Sequence, residues 1–164
     1  MRSPGKQQWA ASRPTQTVEV RTQATCFACG HDHPHGLKLE FRQHAPGSMT
    51  AEWTPSRAWE GFRGVIHGGL VTTVLDEAMS KAVASTGSAA LTCSLEVRLH
   101  RCVTPGETLL VRGWVVEKRK RRALTEAELR DSFNVERAHA WATFLEVSAP
   151  DPPADASRGC ESDF

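Results

Sequence analysis

No stretch of this chain approaches the roughly 18–20 uninterrupted apolar residues that a membrane-spanning helix requires, so no such span is expected. Arg2 and Lys6 come early, but no apolar segment follows them, and a secretory signal is not expected either. Charge of one sign is equally scarce. Twenty Lys and Arg face nineteen Asp and Glu, a formal net charge of +1, which argues against a nucleic-acid protein defined by bulk charge. Cysteine is sparse and odd in number: five thiols in 164 residues, a chain too long to need stapling, suggest no disulfide framework. Cys93 and Cys102 read as small buried hydrophobes within a strand, and Cys160 as a free thiol in a tail. A soluble cytoplasmic protein is the expectation.

Apolar residues make up 40% of the chain, enough to fill the core of one ordinary domain. Residues 1–24 and 150–164 are polar and unperiodic and read as a flexible arm and tail, with Val18 and Val20 the most orderable part of the arm. The folded domain is then 25–149. Within it, Leu37, Leu39 and Phe41 alternate with Lys38, Glu40 and Arg42, the period of a half-buried strand. A turn at 44–47 leads to Met49, Ala51 and Trp53, the returning strand, and 55–66 is a loop containing Gly61 and Gly64. The period then lengthens. Leu70, Val71, Val74, Leu75, Ala78, Met79, Ala82 and Val83 recur at helical spacing, which predicts one amphipathic helix over 68–86 ending near Gly87.

From Leu91 the period returns to two: Leu91, Cys93, Leu95, Val97 and Leu99 against Thr92, Ser94, Glu96 and Arg98. Further strands are predicted at 109–116 and 138–147. Segment 124–131 reads two ways. Thr125 and Glu128 suit a helix capping box, whereas Thr125, Ala127 and Leu129 alternating with charged residues suit a one-sided antiparallel strand. The layout is α+β, a curved antiparallel sheet wrapped around a single helix. One helix cannot cover a sheet of this size, which points to pairing with a second copy.

The segment richest in chemistry is 64–79. Gly68 and Gly69 open the helix, so its first N–H groups are unobstructed by a β-carbon and form an anion or oxyanion site. Asp76 falls on the edge opposite the apolar stripe, in line with Thr72, Thr73 and Ser80. A mid-helix Asp has poor helix propensity and lies too far along to gain from the N-terminal dipole. Taken alone, it reads as a solvated carboxylate beside Glu77, and His67 reads as a capping or core histidine.

His67-Gly68-Gly69 with an acidic residue nine positions after the histidine resembles the hotdog-fold thioesterase superfamily, in its phenylacetyl-CoA and 4-hydroxybenzoyl-CoA thioesterase-like branches. The run Cys26-Phe-Ala-Cys-Gly-His-Asp-His-Pro-His-Gly-Leu37 resembles the entry motif of one subgroup, and 92–98 with the Pro105-Gly106 turn is similar to the strand that follows the helix. The likeness covers roughly residues 26–147. It implies a hotdog fold paired in a homodimer or a dimer of dimers, and an acyl-CoA thioesterase with CoA as part of its substrate and no separate cofactor. It also implies roles. Gly68 N–H is the oxyanion donor, with Gly69 beside it, and Asp76, from the partner subunit, is general base or nucleophile. Thr92 holds the attacking water with Ser94 as its same-face neighbour, and His67 shapes the glycine turn. Thr73 and Gly61 are further substrate-binding candidates. Many relatives carry asparagine at the position of Gly61, and the entry motif usually has asparagine where His33 stands here.

Other motifs are weighed on their own chemistry. Cys26-x-x-Cys29 offers only two metal ligands, and His31, His33 and His35 cannot easily converge on a tetrahedral ion, so the reading is a tight turn against the sheet edge and no metal is expected. The basic run 118–122 is a solvated strand end or, at Arg119 and Arg121, a contact for the CoA phosphates. It is short and lacks interleaved aromatics, which weakens a nucleic-acid role. Trp53, Trp59, Phe62 and Met79 are as compatible with an acyl pocket as with core. The second functional class left open is a binding module that holds an acyl-CoA or acyl-carrier thioester without cleaving it, kept alive by Gly61. The Asp/His signature of an enoyl-thioester hydratase is not found.

Overall fold

The computed structural model describes residues 23–147; Val18, Val20, Cys160 and nearly all of the expected arm and tail lie outside these residues. The elements in chain order are β1 (Arg42–Ala45), β2 (Ser48–Trp53), a single 3-10 turn (Arg57–Trp59), β3 (Glu60–Phe62), β4 (Val65–Ile66), α1 (Gly68–Ala84), β5 (Ala90–Leu99), β6 (Leu109–Arg119), β7 (Arg122–Asp131) and β8 (Glu136–Glu146). Six strands form one antiparallel sheet in the order β1-β2-β6-β7-β8-β5, and β3 pairs with β4 in a small separate hairpin. The sheet packs around α1, which touches β2, β5, β6, β7 and β8. This is the hotdog architecture.

The helix forms because of what it buries. Val71, Val74, Leu75, Ala78, Met79, Ala82 and Val83 are all withdrawn from water. Each buried Val, Leu or Met contributes about 1.5–3 kcal/mol, whereas two opening glycines and several β-branched residues cost about 0.5–1 kcal/mol apiece in propensity. Packing wins. Gly87, at φ +86°, ends the helical stretch as predicted.

The sheet accepts the helix closely because its inner surface is small. Ala123, Ala127, Ala138, Ala140 and Ala142 are all buried on β7 and β8. At Gly113 of β6 the approach is closest of all. A β-carbon there would lie 2.3 Å from the carbonyl oxygen of Ala78, well inside contact distance, so only glycine fits beneath the helix.

Segment 124–131 is strand: Thr125, Ala127 and Leu129 face the core and pair with Ala142, Ala140 and Ala138 of β8. Two expectations need correction. Leu37 and Leu39 are buried as their alternation predicts, but 37–41 is not a strand. Lys38 takes a left-handed φ of +56°, and its ammonium donates to the carbonyls of Gly30, His31 and His33. The N–H groups of Leu37 and Leu39 bond instead to the carbonyls of Phe27 and Ala28. Cys102 is exposed in the β5–β6 connection rather than buried in a strand.

Strand β5 also departs from simple alternation. Thr92 pairs with Phe144, but Ser94 pairs with Thr143, so Cys93 is an extra residue in a β-bulge. Before the bulge, Thr92 shares the inner face with buried Phe144. After it, Leu95, Val97 and Leu99 are the residues opposite buried Ala142, Ala140 and Ala138. Both sets therefore point inward.

Candidate active site

His67 is the N-cap of α1, and its Nδ1 accepts the N–H of Gly69 at 2.9 Å. The carbonyl of His67 receives the N–H groups of Leu70 and Val71. Among the described residues, the first-turn donor left without an acceptor is Gly68 N–H. The cap separates Gly68 from Gly69, whose N–H is taken by the His67 ring. A β-carbon at Gly69 would lie 2.9 Å from His67 Nδ1, and one at Gly61 would lie 3.1 Å from His67 Cδ2. Gly61 thus packs against the capping ring. Thr72 and Thr73 return their hydroxyls to the carbonyls of Gly68 and Gly69, which engages the Thr73 hydroxyl with the helix itself.

Two turns further on, Asp76 does not face open solvent. Edge strand β5 lies along that flank of the helix, and Thr92 Oγ1 donates to Asp76 Oδ1 at 2.9 Å. Burial pushes the Asp76 carboxyl above its ordinary range, the Thr92 hydrogen bond pulls it back, and neighbouring Glu77 raises it again. A desolvated carboxylate held by one hydroxyl is poised to take a proton. The Thr92 hydroxyl gives its proton to the carboxylate and keeps its lone pairs as acceptors. Ser94 is corrected: the bulge turns it to the outer face opposite Thr143, so it is not a same-face neighbour of Thr92.

The remaining candidates scatter. Arg119 and Arg121 sit in or beside the β6–β7 turn, Arg119 paired with Glu117 and Arg121 hydrogen-bonded to the carbonyl of Glu146. Lys118 pairs with the Glu146 carboxylate. Trp53 stacks on Trp59 with centroids 6.5 Å apart, Met79 is core, and Phe62 is 83% exposed. The thiols of Cys26 and Cys29 gather not at the sheet edge but at α1, where both sulfurs and a Glu77 carboxylate oxygen lie within 4.8 Å of one another. Glu77 also pairs with Lys81 at 3.5 Å. Burial, then the hydrogen bond to Glu77, pushes the Cys29 thiol far up. Glu77 and Lys81 escaped sequence reasoning, and their only signal was an i,i+4 charge pair on the helix.

The fold is that of a hotdog domain, and comparison with known proteins agrees. The family model of the thioesterase superfamily matches residues 63–136, the segment running from the glycine turn through β7. No curated protein matches the sequence. A thioesterase superfamily protein of known structure superimposes with a TM-score of 0.70 at 22% identity, over 74% of this chain and 60% of its own, so this chain spans less than two-thirds of that relative. The PaaI protein from the E. coli phenylacetic acid degradation operon gives 0.66 at 18% identity, over 69% of this chain and 82% of its own. A hypothetical thioesterase protein of Streptococcus pneumoniae, solved with coenzyme A, gives 0.64 at 16% identity, over 66% of this chain and 88% of its own. Its aspartate-to-alanine and threonine-to-alanine variants, at positions sixteen residues apart, have also been solved.

Proposed function

We propose that the chain hydrolyses acyl-CoA thioesters at sites shared between two copies, with Asp76 as general base or nucleophile. The observation that carries this reading is the Asp76–Thr92 pair, a carboxyl raised by burial and aimed by a hydroxyl sixteen residues along the chain. The Streptococcus pneumoniae protein, solved with coenzyme A, was altered at an aspartate and a threonine with that same separation, which supports the same roles here.

A second copy is required by distance. Gly68 and Asp76 are eight residues apart on one helix, about 12 Å along its axis. An oxyanion donor must lie about 3 Å from the carbonyl oxygen, and a base about 3 Å from the carbon or, acting through one water, about 5–6 Å from it. One helix cannot offer both to one thioester. Two copies can, if Gly68 of one faces Asp76 of the other. Leu95 and Leu99 face inward on edge strand β5 yet are 36% and 53% exposed, an apolar margin that a second copy would cover.

In the reaction, Asp76 takes a proton from water as the water oxygen bonds to the carbonyl carbon. Gly68 N–H stabilises the negative charge that develops on the carbonyl oxygen. The C–S bond then breaks, and the proton leaves with the CoA thiolate. In the nucleophilic variant the Asp76 oxygen bonds the carbon, the C–S bond breaks and the CoA thiolate leaves; water then cleaves the resulting anhydride, restoring the carboxylate and releasing the proton that neutralises the thiolate. CoA enters as part of the substrate, and Arg119 and Arg121 are the cations proposed to meet its phosphates.

The test is thiol release from short, medium, long and aromatic acyl-CoAs. Asp76→Asn should lower kcat by about two to four orders of magnitude. Equal turnover by wild type and Asp76→Asn on the best substrate would end this mechanism. Tight acyl-CoA binding with no thiol released would favour the non-cleaving module instead.

A further inference from the structure

We propose that Cys26, Cys29 and Glu77 form a binding site for a divalent metal ion of the zinc class, set behind the helical turn that carries Asp76. Two thiol sulfurs and a carboxylate oxygen lie within 4.8 Å of one another. Around a tetrahedral zinc ion, with Zn–S of about 2.3 Å and Zn–O of about 2.0–2.2 Å, such donors sit about 3.3–3.8 Å apart. Side-chain rotation of about 1 Å closes the difference. A water on the side of partly exposed Cys26 completes four ligands.

The turn is built to hold both sulfurs on one side. Gly30 N–H donates to the Cys26 carbonyl and Asp32 N–H to the Ala24 carbonyl, each at 2.8 Å. A β-carbon at Gly30 would lie 2.4 Å from the Ala24 carbonyl oxygen, so the turn closes only with glycine. The third donor comes from the helix, not from the histidines. His31 lies against Asp32, and the His33 ring sits edge-on to Phe27.

Charge supports the assignment. Two thiolates and one carboxylate around a divalent ion leave a single negative charge, and the Lys81 ammonium, 3.5 Å from Glu77, cancels it. Without the ion, neutral thiols beside the Glu77–Lys81 pair are also uncharged overall. The cluster exchanges two thiol protons for one ion with no change in net buried charge, which avoids the penalty of burying an unpaired charge. The bound ion ties the entry segment to α1 one residue from Asp76.

The experiment uses the full reduced chain. Zinc content by mass spectrometry should be about one ion per chain, and added Co²⁺ should give a thiolate-to-cobalt charge-transfer band with the visible absorption of a tetrahedral ion. Glu77→Gln keeps both thiols and should weaken Co²⁺ affinity by at least about tenfold, since it removes a charged ligand. Cys26→Ser with Cys29→Ser should abolish the band, while Cys93→Ser and Cys102→Ser leave it intact. The proposal is overturned if reduced protein gives no band, if the band survives the double serine variant, or if the pair is recovered only as a disulfide that takes up no metal after reduction.

Discussion

Thr92 Oγ1 donates to Asp76 Oδ1 across the boundary between edge strand and helix, on a carboxyl that burial holds above its ordinary range. The two influences oppose each other. Burial disfavours the charged form and the hydroxyl favours it, so the strand tunes a carboxyl that the helix carries.

Removing that hydroxyl should therefore move the carboxyl further up. In Thr92→Val the acid limb of kcat against pH shifts to higher pH, and kcat at neutral pH falls by about 10–100-fold, the worth of a hydrogen bond to a charged group. Thr92→Ser should leave the limb in place. A pH profile of Thr92→Val that overlays wild type would separate Thr92 from the titration of Asp76.

Stability should move the other way from activity. A carboxyl whose folded-state pKa lies above its unfolded value costs the native state stability when it ionises, and the cost is fully present above the folded pKa. As pH falls below the folded pKa the carboxyl is neutral in the native state, and the cost shrinks until it is gone below the unfolded pKa. Asp76→Asn should thus have a higher Tm than wild type at neutral pH, with the difference shrinking in acid. Calorimetry across pH checks this, and a lower Tm for the variant at neutral pH would contradict it.

Gly61 bears on the same site through His67. A β-carbon at 61 would crowd His67 at 3.1 Å from ring atom Cδ2 and at 3.2 and 3.3 Å from its Cα and Cβ. Gly61→Ala should disturb the Gly69 cap and cost about 1 kcal/mol in urea unfolding, the usual worth of an N-cap. Gly61→Asn should do the same with a further loss of kcat, as the ring that frames Gly68 N–H shifts. An unchanged unfolding midpoint in both would show that the ring moves freely.

Self-association is testable at the apolar margin. Leu95→Asp places a charge on the inward face of edge strand β5, where wild type shows an exposed leucine. The proposed dimer should weaken by about 10–100-fold in sedimentation velocity, as for other interface anchors, and thiol release should fall as the monomer accumulates. Unaltered association would remove β5 from the interface.

Much of the fold was legible because it follows from period. The helix, β5, β6 and β8 and the turns at Gly47, Gly87 and Gly106 lie where alternation, helical spacing and glycine punctuation put them, while 124–131, open between helix and strand in the sequence, is settled as β7 by its pairing. What was not legible depends on single backbone departures. Lys38 turns left-handed to cap a loop with its ammonium, which no alternation reports. One extra residue at Cys93 sends Thr92 inward and Ser94 outward, although both sit at even positions. Asp76 was singled out by resemblance, because its own helical position suggested solvent. Its burial comes from a strand sixteen residues away, and helical spacing alone carries no such information. The meeting of Cys29 with Glu77 is likewise a tertiary event.

The bare backbone at Gly113 sets how far the whole of α1 stands off its floor. Lodging a single methyl group there would wedge α1 upward by an ångström or more, because the Ala78 carbonyl has nowhere to retreat. Asp76 rides two residues before that wedge point, while Thr92 stays with the sheet. A contact of 2.9 Å tolerates little lift. The reach of the Asp76 carboxylate is thus fixed from below, by an atom the chain leaves out.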